Sequence, residues 1–408
     1  MSKKRPAGQF IILLLGSLTT INPFAIDMYL PSFTQMAKDL GTTPARISLS
    51  ITTYFIGIAV GQLFYGPLLD RFGRKKPLYY GLSIYILACI GCMFSQNLPM
   101  LLSFRLIQAL GGSVSFVAAM TMVRDFFPVE KSAKIISLLM LVLGLSPLLA
   151  PTIGGFVTTA LGWQWVFAVL VMIVLLVVSI IFFFLPSPYK PDPTVVLRVK
   201  PMLSTFYGIL KNSTFSTYSL AGAFSFATLF IYVAGSPLIF MELYHVSAQT
   251  YGLIFALLAG GFIGSNQVNV LLLRWFSSEQ IFRRGLFAQL ITSIVFFIGA
   301  YYNWFGLTGT IIMFFIALFC LGLTSPNASA LALAPFTKNI GSASALIGSL
   351  QIGVAGLTSA CVGLFNASNT APIIAVMMVT SFIAVLILVV KKKRAAVVVQ
   401  READLEGI

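Results

Sequence analysis

About twelve apolar runs, each long enough to cross a bilayer as a helix, follow one another along the chain and leave it few ways to fold. They fall at 8–37, 46–69, 76–95, 99–123, 133–160, 163–185, 214–241, 248–273, 284–302, 305–335, 342–365 and 371–390. A hydrocarbon core of roughly 30 Å takes about 20 apolar residues per helix. The runs are continuous and do not alternate, so helices are expected and not a barrel. Only 9% of residues are charged against 58% hydrophobic, where soluble domains carry about 25% charged residues. The expected fold class is an all-α membrane protein with twelve transmembrane helices.

A net charge of +15 suggests nucleic acid until the charges are placed. All Lys and Arg residues except Lys38, Arg46 and Arg105 fall in alternate loops and at the two termini. The positive-inside rule then puts both termini in the cytoplasm, which requires an even number of spans. The basic surplus reads as topology, with attraction to anionic lipid as a side effect and no nucleic-acid partner. MSKKRPAGQF resembles a signal peptide at first sight, but the run after it is too long, and it reads as a retained first span.

The longest polar break, residues 186–212, holds Pro186, Pro188, Pro191, Pro193 and Pro201 with Lys190, Arg198, Lys200 and Lys211. It separates six runs from six. The expected organisation is a bundle at 1–185, a cytoplasmic linker at 186–212 with a short surface helix near 201–211, a second bundle at 213–390 and a basic tail at 391–408. Such a plan suggests duplicated halves built from inverted repeats. LLDRFGRKKPL after the second run and LLRWFSSEQIFRRGL after the eighth share their basic residues loosely. Cys89, Cys92, Cys320 and Cys361 sit in apolar runs and read as inert small hydrophobes. No phosphate-cradling GxxxxGK[ST] stretch occurs.

GPLLDRFGRKKPL, residues 66–78, is the most specific stretch. Gly66 suits close packing as the second span ends, Gly73 suits a tight turn, and Asp70 suits a helix N-terminus. An ordinary positive-inside loop would explain Arg71, Arg74, Lys75 and Lys76, but not that spacing of glycines and acid. The stretch resembles the major facilitator superfamily, whose loop between spans two and three reads G-x-L-x-D-R-x-G-R-[RK]. The resemblance implies two six-helix bundles and a cytoplasmic gate. In that gate Asp70 docks against the start of helix eleven, and Arg74 links to Asp125 at the end of helix four.

Arg105 and Gln108 lie on one face of the fourth span. Burial of an Arg requires a partner or a watery cavity, unless the side chain snorkels to the outer interface. The pair resembles the family pattern R-x-x-Q-G, with Ala109 in place of Gly. In the fifth span, Gly144, Pro147, Pro151, Gly154 and Gly155 resemble the signature G-x-x-x-G-P-x-x-G-G of proton-coupled antiporters, with Ala150 replacing the second Gly. Prolines bend such a helix and glycines let a neighbour approach.

Asp27 is the acid of TINPFAIDMYLPSF in the first run. At helical rise it stands about 16 Å from Lys38 and about 33 Å from Arg5, within the membrane and toward the outer side. An acid near a helix centre costs roughly 2.5–3.5 kcal/mol on insertion scales, so a functional reason is expected. The alternative is a span ending at Ile26, with Asp27 among headgroups. DMYLP, AVGQLFYGPLLDRFGRK and MVRDFFP resemble the bicyclomycin and chloramphenicol resistance branch of drug:proton antiporters. That resemblance implies that Asp27 couples proton to drug, with Arg105 and Gln108 poising or positioning.

Glu242 and His245 read as a solvated pair after the seventh span. Asn266, Gln267 and Asn269 are unusual for hydrocarbon and suit a cavity or a bond between helices. The expected function is export of a small organic molecule in exchange for protons, by a monomer in the bacterial inner membrane. No cofactor, metal or enzymatic activity is expected. The alternatives are proton-coupled or facilitated uptake of a metabolite such as a nucleobase-like solute, and a membrane enzyme, for which a nucleophile–base or metal cluster is lacking. Cysteines introduced at positions 5, 198 and 393 should resist impermeant thiol reagents in intact cells. Labelling of position 198 from outside would overturn the topology.

Overall fold

The computed structural model describes residues 8–127, 129–185, 191, 199–336, 340–364 and 369–406, and these are helical nearly throughout. In order the helices are α1 (Gly8–Asp27), α2 (Phe33–Asp39), α3 (Pro44–Phe72), α4 (Lys75–Met93), α5 (Leu98–Phe126), α6 (Val129–Leu161), α7 (Gln164–Phe184), α8 (Val199–Lys211), α9 (Ser213–Pro237), α10 (Ala248–Leu272), α11 (Ser278–Tyr301), α12 (Leu307–Leu333), α13 (Ile340–Gly363) and α14 (Ala371–Glu406). Among the described residues, eleven segments are long and apolar enough to span a membrane. The helix α6, with Pro147 and Pro151 inside it, supplies the remaining run expected from the sequence. The surface helix expected near 201–211 is α8. The rest of the linker from 186 to 198, Pro191 aside, lies outside the described residues.

Helix starts follow from local chemistry. Thr43 accepts a hydrogen bond from the Arg46 backbone and precedes Pro44, whose missing N–H is no loss in a first turn. Asn97 does the same for α5, accepting from the Met100 backbone at 3.0 Å ahead of Pro99. Ser277 and Gln280 close a reciprocal capping box at α11. Gly73, at φ +82°, makes the turn between α3 and α4 that a residue with a Cβ would resist.

Two compact units are present. The first comprises Met1–Leu197, Val233–Ala259 and Gly363–Ala367, and the second Arg198–Tyr232, Gly260–Val362 and Ser368–Ile408. Lipid tails are as apolar as the side chains they would replace, so close packing and polar contacts hold such units together. In the first unit, α3 and α4 both lie along α5. A Cβ on Gly57 would stand 2.6 Å from the Ala109 Cβ and 2.7 Å from the Leu106 carbonyl oxygen. One on Gly81 would stand 2.8 Å from the Gly111 carbonyl, and one on Gly111 2.5 Å from that of Gly81.

The second unit uses an uncharged polar network. Gln289 of α11 is fully buried. Its Nε2 donates to the Thr228 hydroxyl at 2.7 Å and the Ser225 carbonyl at 3.1 Å, and its Oε1 accepts from the Ser225 hydroxyl at 2.6 Å. Ser225 also meets Thr324 of α12 at 2.9 Å. Interhelical bonds of this kind in membranes contribute about 0.6 kcal/mol each on average. By contrast, Gly57→Val should push α3 off α5 against backbone, destabilising by about 1–3 kcal/mol. A lowered melting temperature in detergent checks this, and Ala at the neighbouring Ile56, which is exposed, should have little effect.

Candidate functional site

The first span is not one helix. It stops at Asp27, passes through a 3-10 turn at Leu30–Ser32 and resumes as α2. The span expected over 8–37 is present as Gly8–Asp39, but its helix is interrupted, and the cause is Pro31. That residue has no N–H to give the Asp27 carbonyl four positions earlier, so the α-helical ladder ends. The last rung is the Met28 N–H on the Phe24 carbonyl at 3.0 Å. The Asp27 side chain is nevertheless buried at 5% exposure. Asp27 therefore sits, buried in protein, at a break and not in mid-helix.

Arg105 meets the same break. It is fully buried, which excludes snorkelling to an interface. Its Nη1 donates to the Ala25 carbonyl at 3.0 Å and to Gln108 Oε1 at 2.7 Å. The guanidinium lies between the rings of Tyr29 and Tyr54, each centroid 4.2 Å from its central carbon. A desolvated cation between two aromatic faces gains about 2 kcal/mol or more. Capping the carbonyl end of α1 adds a favourable charge–dipole contact. The clamp is itself braced. The Tyr29 hydroxyl pairs with Ser50 at 2.8 Å, and the Tyr54 hydroxyl donates to Asn22 Oδ1 at 2.9 Å. Gln108 is fully buried and donates to Cys89 Sγ at 2.8 Å.

Among the described residues, Arg105 and Asp27 form no ion pair. The Tyr251 hydroxyl pairs with Ser236 at 2.8 Å. Tyr29, Tyr54, Asn22 and Tyr251 were not singled out in the sequence. Nothing separates them there from the other tyrosines and polar residues of the spans.

At the basic loop, Arg74 Nε donates to Asp125 Oδ2 at 2.7 Å and its Nη2 to Asp125 Oδ1 at 3.2 Å, a two-pronged contact. Nη1 reaches Asp70 Oδ1 at 2.6 Å. Partial burial works against the Arg74 charge, and the hydrogen bonds and charges of Asp125 and Asp70 outweigh it, raising Arg74 above the ordinary arginine value. Arg74 and not Asp70 is the capping residue of α4, and it makes no side-chain cap there. The Arg71 guanidinium lies 5.6 Å from the Phe72 ring centroid. Gly66 corrects an expectation, since a Cβ there would meet nothing within 4 Å. Close helix packing is not its role among the described residues.

In α6, the close approaches belong to Gly154 and Gly155. A Cβ on Gly154 would overlap the Met28 carbonyl oxygen, directly after Asp27. One on Gly155 would stand 2.7 Å from the Ala248 carbonyl oxygen. Pro151 is buried, Pro147 partly so, and the surroundings of Gly144 lie outside the described residues. Thr34 donates to Glu242 Oε1 at 2.6 Å, while His245 is exposed at φ +52°. In the second unit Asn269 accepts from Asn327 Nδ2 at 2.6 Å, whereas Asn266 bonds back to its own helix at Phe262 and Gln267 is exposed. Asn327 is a further polar residue that sequence reading passed over.

Arg105→Lys keeps the charge but loses the planar stack between Tyr29 and Tyr54 and the Nη1 position that reaches both Ala25 and Gln108. The variant should be destabilised by about 2 kcal/mol or more, summing one charged hydrogen bond and the stacking. A melting temperature equal to the wild type in detergent would contradict the clamp.

Residues 15–360 match the Major Facilitator Superfamily. The chain is 30% identical over 380 residues to the Uncharacterized MFS-type transporter YdgK of Bacillus subtilis, covering 91% of this chain and 93% of that one. It is 29% identical over 374 residues to the Bicyclomycin resistance protein homolog of Haemophilus influenzae, covering 90% and 92%. Multidrug resistance protein MdtL of Shigella flexneri is 28% identical over 82% of this chain and 84% of its own. Among solved structures, a bacterial homolog to the human lysosomal transporter Spinster, inward-facing and unoccupied, superposes with a TM-score of 0.72 at 16% identity, covering 95% of this chain and 96% of that one. A D-xylose-proton symporter gives 0.72 at 13%, covering 93% and 97%. These two likenesses concern the fold. With apolar helices throughout and a family match over most of its length, the chain belongs to the Major Facilitator Superfamily, as a multi-pass transporter of the bacterial inner membrane.

Proposed function

We propose that this chain is a proton-coupled antiporter that exports small organic molecules by alternating access of two six-helix bundles, 1–185 and 213–390, working as a monomer. The observation that carries the reading is Asp27: a buried carboxylate at a break in the first span, with no ion-pair partner among the described residues. A carboxylate so placed is costly to bury when charged, so a functional reason for it is expected. Arg105 holds the helix end near it through the Ala25 carbonyl, so a change of charge at Asp27 acts on an element already pinned. In this reading Gln108 fixes the guanidinium, and the Arg74 contacts with Asp70 and Asp125 latch the loop at the cytoplasmic end. Gly154 lets α6 close on the break, and Gly155 lets it approach the start of α10. Asn266 and Asn269 are weaker candidates for cavity polarity, since each is engaged within its own unit.

Resistance to drugs is what the relatives named for bicyclomycin and multidrug resistance suggest for the cargo. Uptake of a metabolite with protons is the alternative, and inverted vesicles with an imposed pH gradient separate the two by the direction of cargo movement. No enzymatic step is assigned. Asp27→Asn keeps size and hydrogen bonding but cannot titrate. The variant should insert normally, having lost a charge that opposed burial. Proton movement on adding a drug to proteoliposomes should vanish, because proton binding no longer biases the two facing states. Cargo exchange down its gradient should persist. Undiminished drug-driven proton flux in Asp27→Asn would show that another group carries the proton.

A further inference from the structure

The helices α3 and α4 both pack along α5 but touch one another little. Glycines cause this. Gly57 and Gly61 draw α3 onto α5, and Gly81 with Gly111 draws α4 onto it. Between the two helices a cleft of about 550 Å³ remains, floored by Leu110 of α5. Its size is that of a small-molecule site, which runs ~300–1,000 Å³. One wall is a stripe of α3 at helical spacing: Phe64, Leu68 and Phe72. The other wall belongs to α4, where Tyr80 stands beside Lys76 at the helix start. The cleft is open along its length, since Phe64 is 54%, Phe72 45% and Tyr80 73% exposed.

We propose that this cleft binds one acyl chain of an anionic phospholipid from the cytoplasmic leaflet, with the Lys76 ammonium on the lipid phosphate. Depth supports a lipid. From Gly61 to Phe72 the α3 wall runs roughly 16 Å at helical rise, about half the ~30 Å hydrocarbon core and therefore the depth of one leaflet. Charge supports an anionic headgroup. Lys76, in the first turn of α4, lies at one end of the cleft, and Arg71 lies nearby in sequence in the last turn of α3. Asp70, the acid before it in sequence, is engaged by Arg74. The charged end of the cleft is the end that the positive-inside rule assigns to the cytoplasm, where anionic headgroups attract Lys and Arg. The apolar walls take the chain and the aromatic rim takes the interface, where Tyr rings favour headgroup level. Lys75 does not line the cleft and serves as a control for general surface attraction.

The test is native mass spectrometry of the full chain released from nanodiscs of equal phosphatidylglycerol and phosphatidylcholine. The wild type should retain phosphatidylglycerol in preference. Lys76→Gln should lose about fivefold of that preference, the size of one basic contact with an anionic surface, and Lys75→Gln should keep it. Leu68→Trp, which fills the cleft, should lower retention of both lipids. Equal losses in Lys76→Gln and Lys75→Gln would overturn the site in favour of diffuse attraction. Displacement of lipid by tetraphenylphosphonium with no headgroup preference would overturn it in favour of a cargo portal. If Leu68→Trp does not yield a monodisperse protein, Phe64→Trp replaces it. Its fluorescence should be quenched more by chain-brominated phosphatidylglycerol than by the brominated choline lipid, and equal quenching would likewise refute the proposal.

Discussion

Everything near the first span depends on one buried cation holding a broken helix. Pro31 ends α1 at Asp27 and leaves carbonyls without partners in a region where water cannot satisfy them. Arg105 supplies one donor to Ala25, and it can stay buried because two tyrosine rings flank it and Gln108 takes another of its N–H groups. The tyrosines are fixed in turn by Ser50 and Asn22. Removal of any brace would leave a charge in an apolar interior with fewer contacts, so the cluster stands or falls together.

Glycine is the second constraint, and it acts through backbone. The break after Asp27 is approached so closely by Gly154 that any side chain there would strike the Met28 carbonyl. The signature of the fifth span therefore has a local meaning: its glycines allow α6 to lie directly on the irregular turn that follows the acid. The missing Cβ at Gly154 serves this contact, while that at Gly155 admits the Ala248 carbonyl instead. The same device, used by Gly57, Gly81 and Gly111, sets the angles of α3 and α4 on α5.

The fold was legible because hydrocarbon imposes a length and a composition on each span, and these survive in the sequence without any tertiary information. The glycine turn at Gly73 and the meeting of Arg74 with Asp125 were legible through the resemblance of their loop to a known family. The break at Asp27 could have been read from Pro31, whose missing donor falls four residues after the acid, but apolar residues on both sides masked it. The clamp of Tyr29 and Tyr54 could not be read. Aromatic residues are so common in the spans that no spacing marks the two that flank Arg105. Gly66 misled for a related reason: a glycine at a helix end suggests a neighbour, but the sequence does not say whether a neighbour comes.

The two units are glued by different chemistry, and this has an electrical consequence. Among the described residues, the buried ionisable side chains of opposite sign, Asp27, Arg74 and Arg105, all belong to the first unit, while the buried network of the second is built on Gln289, Ser225, Thr228 and Thr324. A membrane voltage exerts force only on charge, about 2.3 kcal/mol per elementary charge moved through 100 mV. Among the described residues, no Asp, Glu, Lys or Arg is buried in the second unit to give that force a handle. Among the described residues, the buried charges on which the voltage can act are therefore those of the first unit.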